Sequence, residues 1–231
     1  MTPQPIHLHP RDAGEALSRQ MLQRFDALAA SSGALSPDEA AQLRRALAIL
    51  ENLDRQYAGA GPLPLEGTED LVASVMGPLA RLGDAELVIA AALWAIRHEI
   101  EITVPEPAVN ALAERSNAAR TKSELAAAFS LMQALADNVR VRLGADLERS
   151  NPERAWRILH ANLAITAIRS EEPAMIDAAF DALDAALPDE RASFYGEALA
   201  LALAPGVAPA VRERISERHA RWTSRPPGCV S

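Results

Sequence analysis

From Leu17 to Trp222, apolar side chains recur every three or four residues, and each such run is closed by proline, serine or glycine. That spacing is the period of an amphipathic helix and leaves little room for a sheet. The first run, Arg11–Ala30, places Leu17, Met21, Phe25 and Leu28 on one face and stops at Ser31-Ser32-Gly33. The second opens on Ser36-Pro37-Asp38-Glu39, a capping serine with proline in the first turn and a glutamate that completes a capping box. Leu43, Leu47, Leu50, Leu53 and Tyr57 line its inner side.

Gly59 to Gly67 cannot continue a helix and reads as a linker or mobile loop. A third helix starts at Thr68, with an expected kink at Gly77-Pro78, and Gly83 ends it. Leu87–Ile96 is apolar all round, so the fourth helix belongs at the centre of a core. Glu99–Val104 alternates polar and apolar like a strand. It has no second candidate strand to pair with, so a helix end or extended connector is expected. A fifth helix begins at Pro105-Glu106-Pro107. The sixth carries the seam Leu125, Phe129, Met132, Ala136, Val139 and Leu143, spaced for one partner helix.

Four more helices follow, with Pro152, Pro173, Pro188 and Pro209 at or near their starts. Laying 151–186 over 187–222 superposes Pro152 on Pro188, Leu163 on Leu199 and Pro173 on Pro209. A period in the thirties belongs to helix-pair solenoids. The expected fold is therefore all-α with about ten helices, an N-terminal helical bundle continuing into C-terminal α-solenoid-like helix pairs. One domain spans 11–222, with a soft boundary near 104–121. A flexible tail, 1–10, precedes it and a disordered tail, 223–231, follows.

Composition bounds the function. The charge is −8, from 23 Lys+Arg against 31 Asp+Glu, and Lys122 is the one lysine. An acidic balance argues against nucleic-acid binding, which rests on basic contacts to phosphate. The 48 alanines and abundant arginine suggest a GC-rich bacterial genome. Ten apolar residues are too few to cross a bilayer, which needs roughly 20. Met1–Pro5 has no basic region leading into an apolar stretch, so the expected location is cytoplasmic.

The sequence carries none of the common catalytic motifs. No Gly-rich turn precedes Lys122, there is no Gly-x-Ser-x-Gly elbow, and no Asp or Glu stands three residues before a histidine. His98-Glu99 opens like a zinc-protease motif, but position 102 is Ile. His7 and His9 alternate without a third ligand, and Cys229 is alone, with Arg225 as its nearest cation. His98, His160 and His219 read as packing histidines, His98 at the end of the fourth helix. No catalytic residue, metal or cofactor is implied.

Two charged stripes remain. Asp177, Asp181 and Asp184 stand at i, i+4 and i+7 opposite Ile176, Phe180, Leu183 and Leu187; Arg214, Arg218 and Arg221 repeat the spacing on the last helix. Arg154 and Arg157 add a basic edge. The stripes are either solvated faces or a docking surface, meeting each other across a subunit contact or meeting an oppositely charged partner. The expected function is a non-enzymatic protein-interaction module, an adaptor, chaperone-like or regulatory subunit that binds another protein or itself. The alternative is a small-molecule binder or enzyme with an interhelical pocket near Trp94, His98, Trp156 and His160.

Overall fold

The computed structural model describes residues 6, 8, 16–29, 32–144, 154–203 and 206–223. Among them ten helices follow one another: α1 (Ala16–Ala29), α2 (Pro37–Gln56), α3 (Thr68–Arg81), α4 (Ala85–Arg97), α5 (Glu106–Ala118), α6 (Lys122–Leu143), α7 (Ala155–Ser170), α8 (Pro173–Ala186), α9 (Arg191–Ala202) and α10 (Pro209–Thr223). There is no strand among the described residues. None of the helices is long and apolar enough to cross a membrane.

The all-round apolar character of α4 has the expected consequence. Leu87 through Ala95 are all buried, and α1, α3, α5 and α6 pack around them. Each leucine-sized side chain so buried contributes about 1.5–3 kcal/mol. The start of α4 is fixed by Asp84, whose side chain accepts from the Leu87 N–H at 3.0 Å. Arg24 of α1 neutralises that carboxylate at 2.8 Å and reaches Glu86 at 2.9 Å, tying the first helix to the central one.

Ser36 with Glu39, and Thr121 with Glu124, close reciprocal capping boxes on α2 and α6. Backbone N–H donors, from Ser36 in one case and from Arg120 and Thr121 in the other, hold both glutamates below the usual carboxylate range. At Gly77-Pro78, where a kink was expected, α3 continues as one helix to Arg81.

The strand-like stretch becomes an extended connector. Ile100 and Ile102 point into the core, and the Asn138 side chain on α6 stands in for a missing strand. Its Oδ1 accepts from the Ile102 N–H at 3.0 Å and its Nδ2 donates to the Ile100 carbonyl at 2.9 Å. The Gly59–Gly67 stretch is irregular, as expected, but it is anchored rather than loose. Gly61, at φ +90°, donates its N–H to the Arg97 carbonyl at 2.8 Å, which fastens the loop to the end of α4.

The N-terminal stretch expected as a tail places Ile6 and Leu8 in the core, 6% and 8% exposed, with the Ile6 N–H 3.4 Å from Glu86 Oε2. The stretch 104–121, expected to hold a soft boundary, carries α5, which packs against α3, α4, α6 and α7. One cluster of buried side chains runs from Ile6 to Ile215.

In the last third, α7 and α8 start at 155 and 173, and α9 and α10 at 191 and 209, so the second pair begins 36 residues after the first at both helices. Within each pair the two helices pack on each other, and α10 also lies on α8. This is the solenoid-like arrangement that the period implied. Pro152, at the head of the first pair, lies outside the described residues.

Candidate functional site

The two charged stripes face each other inside one chain. Arg214 Nη1 lies 2.7 Å from both oxygens of Asp177. Arg218 reaches Asp181 at 2.5 Å through Nη2 and Asp184 at 2.7 Å through Nη1. The Asp177 and Asp181 pairs both join residues 37 apart, so α8 and α10 ascend together in the same direction. The like charges that no neighbour on α8 relieves are relieved by the helix one repeat later. Arg221 stays outside this ladder and lies over the Trp222 ring at 5.1 Å. Arg157 is paired with Glu190 at 2.7 Å.

Asp184 corrects the expected stripe. It was placed on the exposed face, yet it is 8% exposed. Its carboxylate accepts from the Tyr195 hydroxyl at 2.9 Å, from Arg218 and, at 3.2 Å, from the Trp222 indole N–H. Burial, and then the Asp184 charge, push the Tyr195 hydroxyl above its ordinary range, so it remains a donor. Desolvation works against the Arg218 cation, but its bonds to Asp181 and Asp184 outweigh this and raise its pKa. The stripes are thus the seam that docks α10 on α8.

The seam leaves a gap on the other side of the pair. While α10 sits on α8, α9 stands off α7, and a hollow of about 300 Å3 opens between them. Ile168, Phe194, Ala198, Val207 and Ile215 line it, together with Ile165 and Leu201, which are 44% and 74% exposed. Arg169 is at one edge, committed to the carbonyls of Ser116 and Ala119 at the end of α5, at 2.7 and 3.2 Å. Glu197 is at the other, with no ion pair among the described residues.

The pocket expected near Trp94, His98, Trp156 and His160 divides into two places. Trp94 and His98 belong to a solid knot around Asp54 of α2. Asp54 Oδ1 accepts from Trp94 Nε1 at 2.6 Å and from His98 Nε2 at 2.9 Å, and Oδ2 accepts from the Ser18 hydroxyl and backbone N–H. His98 Nδ1 donates to the Gly61 carbonyl at 2.9 Å. Ser18, Asp54 and His98 are a trio of types used in hydrolysis, but the aspartate sits in the middle and no nucleophile touches the imidazole. With every member buried, the knot is a fastener for α1, α2, α4 and the loop.

Trp156 and His160 instead line a cavity of about 620 Å3 between α6, α7 and α8. His160 is 4% exposed, and its two ring nitrogens are closed off and have no hydrogen-bond partner among the described residues. His219 is half-buried on α10 beside Gly196. His7, His9, Arg225 and Cys229 lie outside the described residues, among which no group of three ligand-type side chains could hold a metal.

Asp54, Ser18 and Gly61 were not singled out from sequence. The signal for Asp54 was present, because it continues the ladder Leu43, Leu47, Leu50 by four residues and so falls on the buried face of α2. No family model, no curated protein and no solved structure matches the chain.

Proposed function

We propose that the chain is a protein-interaction module whose working surface is the apolar hollow between α7, α9 and α10. Exposed Ile165 and Leu201 facing one hollow carry the proposal, since an apolar patch on a helical protein marks a contact site. The occupant that fits is an amphipathic helix of another protein, with apolar side chains one turn apart entering between Ile165 and Leu201. A basic residue on its flank would face Glu197. In this view Asp177, Asp181, Asp184, Arg214 and Arg218 serve the partner indirectly, by setting where α10 stands and hence the shape of the groove. Arg221 is the stripe residue left to meet a partner directly.

Reversing all three arginines would break the α8–α10 seam itself, so it is a poor test. The doubly substituted chain Ile165→Glu, Leu201→Glu changes exposed positions only. Affinity capture from the natural host, compared by quantitative mass spectrometry, should retain a stoichiometric protein on the native chain and lose it on this variant. Helical circular dichroism and melting temperature should be the same for both. A variant that holds every partner of the native chain removes the groove from consideration. If the native chain instead forms a dimer that the variant lacks, the occupant is a second copy.

A further inference from the structure

We propose that Asp54 and His98 together hold one hydrogen that latches the loop between α2 and α3 to the end of α4, and that raising the pH removes it and frees the loop. The imidazole touches an oxygen at each end, the Gly61 carbonyl at 2.9 Å from Nδ1 and Asp54 Oδ1 at 2.9 Å from Nε2. A carbonyl oxygen can only accept, so Nδ1 carries a hydrogen. A second hydrogen lies between Nε2 and Oδ1, since two bare lone pairs would repel at that distance. The pair therefore has one hydrogen more than a neutral imidazole beside a carboxylate, and its net charge is zero. The count is the same whichever partner owns that hydrogen.

The surroundings decide what happens when the extra hydrogen leaves. From α1 the Ser18 hydroxyl and N–H bond Asp54 Oδ2, and from α4 the Trp94 indole, with its ring centroid 4.6 Å from the imidazole, bonds Oδ1. Among the described residues, Asp54 on α2 is the one charged group bonded to the ring. The His98 and Asp54 side chains are 0% and 1% exposed. Once a single hydrogen remains for two acceptors, the carboxylate bears a full charge in the interior. A charge-assisted bond is roughly twice as strong as a neutral one, and solvent cannot replace it there. The Gly61 carbonyl is only part-buried and can turn to water. The remaining hydrogen therefore sits on Nε2, and a bare Nδ1 faces the carbonyl and repels it. Gly61 is fastened to the end of α4 by this bond and by its N–H to the Arg97 carbonyl, so half of its anchor is lost. The latch is closed on the acid side of the transition and opens as the pH rises.

NMR of the nitrogen-15-labelled native chain reads both halves of this proposal. Couplings between ring nitrogens and ring hydrogens report which nitrogen is protonated. At neutral pH His98 Nδ1 should carry a hydrogen, and through the alkaline range it should become bare while Nε2 is protonated. The Gly61 amide should shift with the same midpoint and become about tenfold less protected against hydrogen exchange, while the Leu47 amide in the middle of α2 keeps its protection. Asp54→Asn removes the charge that draws the last hydrogen to Nε2, so in that chain Nδ1 should stay protonated and Gly61 stay held across the same range. The native-chain measurements decide the matter whether or not this variant folds. A bare Nδ1 at neutral pH overturns the proposal, as does an Nδ1 that keeps its hydrogen until the chain unfolds. A Gly61 amide that ignores the His98 transition, or an Asp54→Asn chain whose loop still opens with pH, overturns it too.

Discussion

Two tryptophans in this chain stand four residues before a histidine on one helix, Trp94 with His98 and Trp156 with His160. Both pairs are buried, with ring centroids 4.6 and 4.3 Å apart. The surroundings separate them. His98 is gripped at both nitrogens, by Asp54 and by the Gly61 carbonyl, whereas His160 is gripped at neither. Burial and residue type do not distinguish a histidine that fastens the fold from one that leaves its nitrogens unsatisfied. What the ring nitrogens touch does.

The largest test of that contrast is His98→Phe. It strips one partner from buried Asp54 and leaves the part-buried Gly61 carbonyl without the imidazole. Leaving the Asp54 carboxylate and the Gly61 carbonyl short of their partner costs about 1–3 kcal/mol for each, which urea unfolding at pH 7 would register. His160→Leu removes no hydrogen bond and should leave the urea midpoint at pH 7 unchanged or raised. Equal losses from the two substitutions would end the comparison.

Acid sharpens it next. The His160 pKa falls from 6.5 to about 4 on folding, so below pH 6.5 the unfolded chain takes up a proton that the folded chain refuses. Stability from this residue is complete above pH 6.5 and drains away as the pH drops toward 4. Unfolding curves should show the native protein losing roughly 3 kcal/mol more than His160→Leu between pH 7 and pH 4.

Asp184 offers an intermediate case, since it collects a tryptophan N–H, a hydroxyl and a further nitrogen, as Asp54 does, but beside solvent. Asp184→Ala leaves Arg218 its bond to Asp181, so a cost of about 1–3 kcal/mol is expected from thermal melts, less than for the Asp54 knot. The smallest effect belongs to Asp177 and Arg214, both partly exposed. A double-mutant cycle with alanine should give a coupling of about 0–1 kcal/mol, shrinking in high salt.

Much of the fold was legible because local rules carried it. The proline and serine starts, the α6 seam and the continuous apolar face of α4 depend on neighbours in sequence. The sites were less legible, for two physical reasons. The Asp177–Arg214 and Asp181–Arg218 contacts join residues 37 apart, and spacing along one helix cannot say which other helix it faces. The alanine wall that α8 gives the cavity beside α6 and α7, at 182, 185 and 186, is equally opaque, because in a chain with 48 alanines a small side chain that closes two helices together and one that holds a space open look alike. Asp54 is hidden differently, because a carboxylate on the buried face of α2 interrupts the apolar pattern that marks a core position.

The thin anchoring of the last hairpin has a mechanical consequence. In α9 and α10 the fully buried side chains are Tyr195, Ala202, Val211 and Ile215, against nine in α4 alone. Much of what fastens α10 to α8 is charge rather than oil. Such an end should open as a unit while the rest of the stack stays shut, exchanging its amide hydrogens first and sooner as salt is added. A protein built this way can loosen its outermost turn of the coil without unravelling the middle.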